Sequence, residues 1–337
     1  MAERWLVTGG AGYIGGHVVR ALLAAGREAT VLDDLSTGRL DRLPSGAGFV
    51  RGDVADGDVL DRALRGAAGV VHLAALTSAP DSVRRPQLYY RANVGGLAAL
   101  LAAMARTGVR RLVASSSAAV YGDGGAPSGS GYAEDHPLDP QSPYGASKLI
   151  GEVLMSQAAV DDGLATVALR YFNVGGAAAP HLADVRGAGL VAAVLAAQRE
   201  GRVVTVHGGT HPTPDGSPVR DFVHVEDIAA AHVAAVARLS STGPPGSAVY
   251  NVGTGTGASV LDVLTRTEAV TGRPVRWVLG PRRDGDPSWS IADPRRIAAD
   301  LGWSPRRTLE DCIASAWAAG RPAPVNRLPA RLSAVAG

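Results

Sequence analysis

The sequence has few of the features that mark secreted, metal-binding or membrane-spanning proteins. Its 337 residues include a single cysteine, Cys312, so a disulfide framework and a cysteine-rich metal site are both excluded. The eight histidines show no metal-ligand spacing, and we expect no metal site. The longest apolar runs, such as 97–105, fall far short of the roughly 20 residues that cross a bilayer. The first residues lack the basic and apolar segments of a secretory signal, so we expect a cytoplasmic protein.

An excess of charge of one sign is also absent. Lys and Arg number 33 and Asp and Glu number 31, which leaves a net charge of +2. Binding to nucleic acid or to an anionic membrane needs concentrated positive charge, so we expect neither partner. Hydrophobic residues make up 46% of the chain and charged residues 19%, which favours a large buried core. The length suits about two domains.

Short apolar segments alternate with helical segments in the first half of the chain. The predicted strands are apolar along their whole length, as expected when both faces of a sheet are covered. Strands of this kind, alternating with helices, predict an α/β fold with a doubly wound parallel Rossmann sheet. The predicted strands are 5–8, 29–33, 49–53, 70–74, 112–116 and 166–171, and the predicted helices are 12–25, 81–107, 141–160 and 190–200.

The pattern becomes irregular after residue 176. We therefore predict that residues 1–174, together with about 222–256, form the nucleotide-binding Rossmann domain. Residues of about 175–221 and 257–337 are predicted to form a smaller, interleaved C-terminal lobe that binds the substrate.

A glycine-rich loop follows the first predicted strand. Gly9, Gly12 and Gly15 have the spacing GxxGxxG before a helix, where backbone N–H groups can approach a pyrophosphate. Asp33 ends the second strand, and its carboxylate can accept hydrogen bonds from both ribose hydroxyls of adenosine. The same charge would repel a 2′-phosphate, so the pattern predicts NAD rather than NADP. Asp53 ends the third strand, where it either faces the adenine amino group or closes a turn.

A tyrosine and a lysine stand one helical turn apart, as Tyr144 and Lys148 in the segment SPYGASK. A tyrosine with a pKa of about 10 is a poor base at neutral pH. A neighbouring ammonium group and the positive nicotinamide ring of NAD⁺ stabilise its phenolate and lower that pKa. The segment 115–117 consists of three serines at the end of a predicted strand, and one hydroxyl there can hydrogen-bond a substrate oxygen. With the glycine-rich loop upstream, these residues predict a catalytic site.

The chain resembles the extended short-chain dehydrogenase/reductases and, among them, the UDP-glucose (UDP-galactose) 4-epimerases. The matching segments span almost the whole chain, and the most specific of them is PTPDGSPVRDFVHVEDIA from Pro212. The resemblance implies reversible C4 epimerisation of a UDP-hexose, through a transient 4-keto sugar, with bound NAD. It also implies a homodimer that pairs through the helices at 81–107 and 142–160. Other matching segments are TGGAGYIG from Thr8, LDDLSTG from Leu32, RYFNVGG from Arg170 and YNVGTG from Tyr250.

The resemblance also implies individual roles. Tyr144 is implied as the base, Lys148 as the partner that lowers its pKa, and Ser117 as the hydroxyl beside the sugar O4. Arg220 and Arg283 resemble the arginines that clamp the UDP diphosphate. The residues implied at the cofactor are Gly9, Gly12, Tyr13, Ile14, Gly15, Asp33, Asp34, Leu35, Ser36, Thr37, Gly38, Asp53, Val54, Leu73, Ala74, Ala75, Thr77, Asn93, Ser115, Tyr144, Lys148 and Phe172. Those implied at the UDP-sugar are Ser117, Tyr144, Asn173, Val191, Thr205, His207, Arg220, Arg283, Asp286 and Ser290.

Some positions depart from the residues that are common in the family, and they bear on which nucleotide and which hexose are bound. The small side chain of Ser290 implies room for N-acetyl sugars, so UDP-GlcNAc and UDP-GalNAc are expected beside UDP-glucose and UDP-galactose. The departing positions are Thr77, Ala92, Leu190 and His207.

Several other functions remain open. Sugar-nucleotide 4,6-dehydratases and UDP-glucuronate decarboxylases carry acidic residues after the catalytic Ser or Thr, where this chain has two alanines at 118–119. A UDP-glucuronate 4-epimerase needs a cationic or hydroxyl group at C6, for which Arg186 and Thr77 are candidates. Other NAD-dependent enzymes that modify sugar nucleotides also share these motifs. A catalytically silent NAD-binding sensor would typically lose Tyr144 or Lys148, and both are present.

Overall fold

The computed structural model describes residues 2–123, 131–185, 187, 189–241, 246–283 and 285–320. No helix within these ranges is long and apolar enough to cross a membrane. The strands are β1 Arg4–Thr8, β2 Glu28–Asp33, β3 Gly48–Arg51, β4 Gly69–His72, β5 Arg111–Ser117, β6 Ala165–Tyr171, β7 Asn173–Gly175, β8 Val204–His207, β9 Val219–His224, β10 Gly246–Val252, β11 Gly257–Ser259, β12 Trp277–Gly280 and β13 Trp289–Ser290. The helices are α1 Tyr13–Ala24, α2 Gly57–Leu64, α3 Ala79–Arg84, α4 Pro86–Tyr89, α5 Gly96–Thr107, α6 Pro143–Asp161, α7 Leu190–Glu200, α8 Val225–Ser240, α9 Val260–Thr271, α10 Arg295–Leu301 and α11 Leu309–Ala319.

A parallel sheet of seven strands, in the order β10-β6-β5-β4-β1-β2-β3, occupies the centre of these ranges. Every neighbouring pair in it is parallel, which confirms the predicted doubly wound α/β fold. The strands are apolar throughout because helices cover both faces. Trp5 and Val7 pack with α1 and α8, whereas Leu6, between them in sequence, packs with α2, α5 and α6.

The order of the strands reverses between β1 and β4. From β1 the chain builds the sheet outward through β2 and β3, and from β4 it continues in the other direction through β5 and β6. In open α/β sheets, ligands bind in the crevice outside the carboxyl ends of the strands at such a reversal. We therefore expect a ligand site at the loops that follow β1, β4 and β5.

Two smaller sheets lie beside the central one. Strand β9 pairs in parallel with β7 and β13 and antiparallel with β11. Strands β8 and β12 form a separate parallel pair, packed on α7 and α9. Strand β10 returns from the second half of the chain to join the central sheet. The domain boundaries given above stay a prediction, and residues 321–337 of the predicted lobe lie outside the described residues.

The single helix predicted for 81–107 is wrong, because the chain there forms α3, α4, a π-helical turn at Tyr90–Gly95 and α5. Pro86 has no N–H group to continue the helix, and it restricts Arg85, which takes φ −134° and ψ 55°. The π-helical turn is a rare irregularity that often accompanies functional sites. Here it carries Asn93, whose Nδ2 donates to Ser147 Oγ on α6 at 2.9 Å.

Candidate active site

The loop after β1 leaves the first N–H groups of α1 open to an anion. Gly12 caps the helix without a side-chain hydrogen bond, and the first turn holds no acidic residue. The turn is tight: Gly9 has φ 68°, and a Cβ on Gly15 would lie 2.2 Å from the Gly9 carbonyl oxygen. The backbone at Tyr13 and Ile14 forms the start of the helix. This loop fits the pyrophosphate of a dinucleotide.

Asp33 lies buried at the end of β2, next to this loop. Its Oδ2 accepts a hydrogen bond from Ala11 N at 3.0 Å and its Oδ1 from Leu35 N at 2.9 Å. Burial raises the pKa of Asp33, and these two hydrogen bonds work against the rise. A carboxylate has room for further donors, so ribose hydroxyls can still bind. A Cβ on Gly38 would come within 2.5 Å of Asp33 Oδ1, so the segment 33–38 wraps closely around the carboxylate. The side chains of Asp34, Ser36 and Thr37 are exposed.

The acid that follows β3 closes a turn. Asp53 is exposed, and its Oδ1 accepts a hydrogen bond from Ala55 N at 2.9 Å. The neighbouring Val54 packs against the core. This geometry is the turn role that the sequence left open, and a contact of Asp53 with adenine stays a prediction.

The segment 73–77 runs from the end of β4 past the glycine-rich loop, whose Gly9 touches its backbone. Asn93 holds this segment in place, because its Oδ1 accepts from Leu76 N at 2.8 Å and its Nδ2 donates to Leu76 O at 3.0 Å. Since Nδ2 also donates to Ser147, the amide group is engaged by protein atoms. Asn93 therefore fixes the floor of the crevice, and its direct contact with a cofactor stays a prediction.

The three predicted catalytic residues come together at the end of β5. Burial raises the pKa of Tyr144, and a hydrogen bond with Ser117 opposes the rise. The Lys148 ammonium group donates to the Ser115 carbonyl oxygen at 2.9 Å and to Ser115 Oγ at 3.2 Å. Burial lowers the pKa of Lys148 to about 8.

The pKa shifts of Tyr144 and Lys148 together decide whether the tyrosine can form a phenolate without a cofactor. Because the pKa of Tyr144 lies above its ordinary value and that of Lys148 is about 8, the lysine loses its proton before the tyrosine does. The residues alone therefore do not produce a phenolate at neutral pH. A further positive charge beside Tyr144 would favour the phenolate, and the nicotinamide ring of NAD⁺ carries such a charge. The pair thus fits the predicted cofactor.

Two predicted substrate residues, Arg220 on β9 and Asp286, are in direct contact. Arg220 Nη2 lies 2.5 Å from Asp286 Oδ1, so the predicted diphosphate clamp and the predicted ribose acceptor are direct neighbours. Arg283 precedes Asp286 in an exposed turn, and the Asp286 N–H donates to the Arg283 carbonyl oxygen at 3.3 Å. The structure therefore brings predicted substrate-binding residues of opposite charge into contact.

The other predicted substrate residues differ in accessibility. Thr205 is exposed and His207 is half-buried on β8, where His207 Nδ1 lies 3.2 Å from the Pro281 carbonyl oxygen. Val191 is different, because its side chain is buried in a hydrophobic cluster with α11. Its contact with a ligand is restricted to the backbone, whose N–H lies in the uncapped first turn of α7. Phe172 is buried and Asn173 is half-buried just beyond β6.

The sequence analysis missed a buried polar network behind the catalytic residues. Glu152 lies four residues after Lys148 on α6 and forms an ion pair with Arg170, the two side chains being 8% and 3% exposed. A signal was present, since Tyr144, Lys148 and Glu152 repeat every four residues. A second signal was that Lys148 is the only lysine among 33 Lys and Arg residues.

Arg186 and Thr77 are the two candidates for binding a C6 carboxylate. Arg186 lies outside the described residues, and Thr77 is exposed beyond β4. Among the described residues, no group of three or more His, Cys, Asp and Glu side chains is placed to hold a metal ion.

Known proteins with this geometry are similar over nearly the whole chain. The model of the NAD dependent epimerase/dehydratase family matches residues 5–253. A UDP-glucose 4-epimerase of Streptomyces lividans is 41% identical over 324 residues, covering 94% of this chain and 96% of its own. The UDP-glucose 4-epimerase of Stenotrophomonas maltophila, solved with NAD and formylated UDP-arabinopyranose, is 35% identical with a TM-score of 0.88, covering 94% and 98% of the two chains. The UDP-Glc/GlcNAc 4-epimerase of Campylobacter jejuni is 33% identical with a TM-score of 0.81, covering 95% and 99%.

We expect Gly15→Ala to lose bound NAD, because the new Cβ would lie 2.2 Å from the Gly9 carbonyl oxygen and displace the loop. The measurement is the NAD released on denaturing the purified protein, with circular dichroism to show that it is folded. Gly246→Ala is the matched control, since a Cβ there meets nothing within 4 Å. Equal NAD content in the folded variant and the control would show that the loop does not hold the cofactor.

Proposed function

Because this chain belongs to the NAD dependent epimerase/dehydratase family, we propose that it interconverts UDP-hexoses at C4, using NAD held in the crevice beside β1 and β4. The observation that carries the proposal is the meeting of Tyr144, Ser117 and Lys148 at the carboxyl edge of the sheet. It occurs in a chain 41% identical to a UDP-glucose 4-epimerase. UDP-glucose and UDP-galactose are the primary substrate pair, and the N-acetyl forms are the second.

In this proposal Tyr144, as a phenolate, takes the proton of the C4 hydroxyl, and Ser117 donates a hydrogen bond to the same oxygen. NAD held at the glycine-rich loop and Asp33 would supply reversible hydride transfer at C4, so that the hydride lost from one face of the sugar would come back to the opposite face of the 4-keto form. Tyr144 then gives its proton back to O4, so the sugar regains every atom and the net redox change is zero. Lys148 supplies the positive charge that favours the phenolate during proton transfer.

Binding and chemistry rest on different parts of the substrate. Arg220 and Arg283 are proposed to bind the diphosphate, since a planar guanidinium suits two phosphate oxygens. Asp286, which now pairs with Arg220, is proposed to accept the uridine ribose hydroxyls. Affinity then comes from groups that do not react, and the hexose is free to present either face.

The protein is expected to epimerise UDP-sugars without added cofactor and without net formation of NADH. The experiment incubates the purified protein with UDP-glucose, UDP-galactose, UDP-GlcNAc and UDP-glucuronate, and separates the products. Tyr144→Phe is the control, and its kcat should fall about 10²–10⁴-fold, the usual contribution of a general base, while UDP still binds. Exclusive turnover of UDP-glucuronate would favour the alternative substrate, and stoichiometric NADH with an oxidised sugar would make the protein a dehydrogenase.

Ser290 is the residue proposed to admit an acetamido group at C2. It follows Trp289 on β13, and the nearby Ala292 packs with Phe172 and Ala118, the residue after the catalytic Ser117. Trp289 Nε1 donates to the Pro212 carbonyl oxygen at 3.1 Å, a contact that ties its ring to the loop before β9.

We expect Ser290→Tyr to lose activity on UDP-GlcNAc and UDP-GalNAc and to keep activity on UDP-glucose and UDP-galactose. The tyrosine ring would occupy the space of the acetamido group. Such a steric clash excludes a substrate more strongly than one extra or missing methylene, which changes discrimination by about 1–3 kcal/mol. The comparison is kcat/KM for both pairs, with Ser290→Ala as the control that keeps the space open. An equal loss on both pairs would show that Ser290 does not select at C2.

We also propose that the protein is a cytoplasmic homodimer. Apolar side chains are exposed on neighbouring helices, with Val83 on α3 at 63%, Ile150 at 38% and Val153 at 60% on α6. Leu88 on α4 and Tyr90 after it extend the same set. Exposed apolar side chains on neighbouring helices are typical of an interaction surface, and two copies would bury them in a helical contact.

The double substitution Ile150→Glu, Val153→Glu should convert the dimer into a folded monomer, because it puts two charges into the proposed interface. Light scattering after gel filtration measures the mass, and the wild type should give twice the chain mass of 34.4 kDa. Val278→Glu is the control, since Val278 is 51% exposed on the distant β12. A double variant that stays dimeric would place the interface elsewhere.

A further inference from the structure

The inner face of α6 carries a line of functional groups that extends beyond the predicted pair. Tyr144, Lys148 and Glu152 are spaced by four residues, so they follow one another along one side of the helix. Lys148 and Glu152 are both buried, at 8% and 9% exposure. A cavity of about 20 Å³ touches both side chains, enough for about one water molecule.

Glu152 is fixed by two donors. Arg170 on β6 donates to it through Nε at 2.9 Å and Nη2 at 2.7 Å, and the Ser116 hydroxyl donates to the oxygen that accepts from Nε. The guanidinium is itself held, since its Nη1 donates to the Tyr121 hydroxyl at 2.8 Å and to the Glu134 carbonyl oxygen at 3.0 Å. These bonds therefore fix the carboxylate in one position.

Stability alone gives little reason for such a pair. Burying two charges removes their hydration, and replacing a buried ion pair by apolar residues is often neutral or stabilising. The location of the pair suggests a different reason. Its carboxylate end lies on α6, one turn from Lys148, and its guanidinium end lies farther away on β6.

Glu152 is the source of negative charge next to Lys148, because the other titratable groups that face the lysine are neutral or cationic. Burial lowers the pKa of His72 on β4 to about 3, so this histidine is neutral, and Tyr144 on α6 is neutral as well. Arg170 on β6 is cationic and is paired with Glu152. Among the described residues that line the shared cavity, Glu152 is the single acid. Burial lowers the pKa of Lys148 to about 8 even though Glu152 raises it.

We propose that Glu152 is a positioning residue for the epimerisation: its carboxylate keeps Lys148 in the ammonium form, and its bond with Ser116 fixes the strand end that carries Ser117. The role rests on the proposed function, because it acts through the two groups that assist Tyr144. It assigns a purpose to a buried carboxylate that touches neither the substrate site nor the glycine-rich loop.

The sequence offers a direct measurement, because Lys148 is the only lysine in the chain. Protein labelled with ¹³Cε-lysine gives one lysine signal, whose chemical shift against pH reports the titration of Lys148 without assignment and without substrate. A lysine stays charged below its pKa and is neutral above it. We expect Glu152→Gln to move the midpoint to lower pH, since the substitution removes the charge that favours the ammonium form.

The same variant should change the pH profile of turnover. The loss of kcat in Glu152→Gln relative to wild type should be about fivefold larger at pH 9 than at pH 7, because the ammonium form is lost earlier. Ser116→Ala keeps the carboxylate, so it should lower kcat at every pH while the lysine midpoint stays in place. Ser116→Ala with the wild-type rate would overturn the role of the strand-end bond.

Glu134→Gln is the matched control, because Glu134 is a second buried carboxylate of the network that accepts from Asn251 N at 2.8 Å and lies away from Lys148. It should leave the lysine midpoint unchanged. A midpoint in Glu152→Gln equal to wild type, or an equal shift in Glu134→Gln, would overturn the proposal. If Glu152→Gln does not fold, Glu152→Asp takes its place, and its retained charge should preserve the midpoint. The NMR titration needs no turnover, so failure of the proposed function, seen as no epimerisation by wild type, is a separate result.

Discussion

The burial of one amino group shapes the centre of this molecule. Lys148 is removed from water, and this alone makes its charged form costly. The neighbouring structure can be understood as compensation for that cost. The Ser115 carbonyl oxygen accepts from the ammonium group, Glu152 lies one turn away, and Arg170 in turn balances Glu152. Each group is buried because the next one satisfies it, and the chain of compensation ends at Tyr121 and at Asn251 on β10, the edge strand of the central sheet.

At β1, on the same edge of the sheet, the charge requirement is the opposite. There the crevice must accept negative charge, and the backbone N–H groups at the start of α1 have no side-chain cap that would compete for them. The bare first turn of α1 and the buried carboxylate of Asp33 stand close together. In the proposed function, an anion binds at the first and hydroxyl groups bind at the second. The proposal also puts a positive nicotinamide ring beside the tyrosine and the lysine, so that the balance of charge there depends on the protein and the cofactor together.

The parts of this arrangement that are local in sequence were predictable. Continuous apolar strands indicated a sheet covered on both faces, and the spacing of Gly9, Gly12 and Gly15 indicated the phosphate loop. The helix break at Pro86 was also predictable from the proline, but the apolar helical pattern on both sides of it favoured one continuous helix. The polar network was not predictable in this way, because its contacts join residues far apart. Tyr121 and Asn251, for example, are 130 positions apart and meet at 2.7 Å.

The rarity of lysine gives the strongest argument about the site. Elsewhere the chain uses arginine for positive charge, yet position 148 carries lysine. An arginine would remain charged at every accessible pH, but its planar fork needs several acceptors in one plane. The space between Ser115 and Glu152 offers a carbonyl oxygen and a hydroxyl at 2.9 and 3.2 Å, which suits a compact ammonium group. Lysine fits the geometry, but burial brings its pKa within reach of neutral pH, and a fixed carboxylate nearby is what that choice then requires.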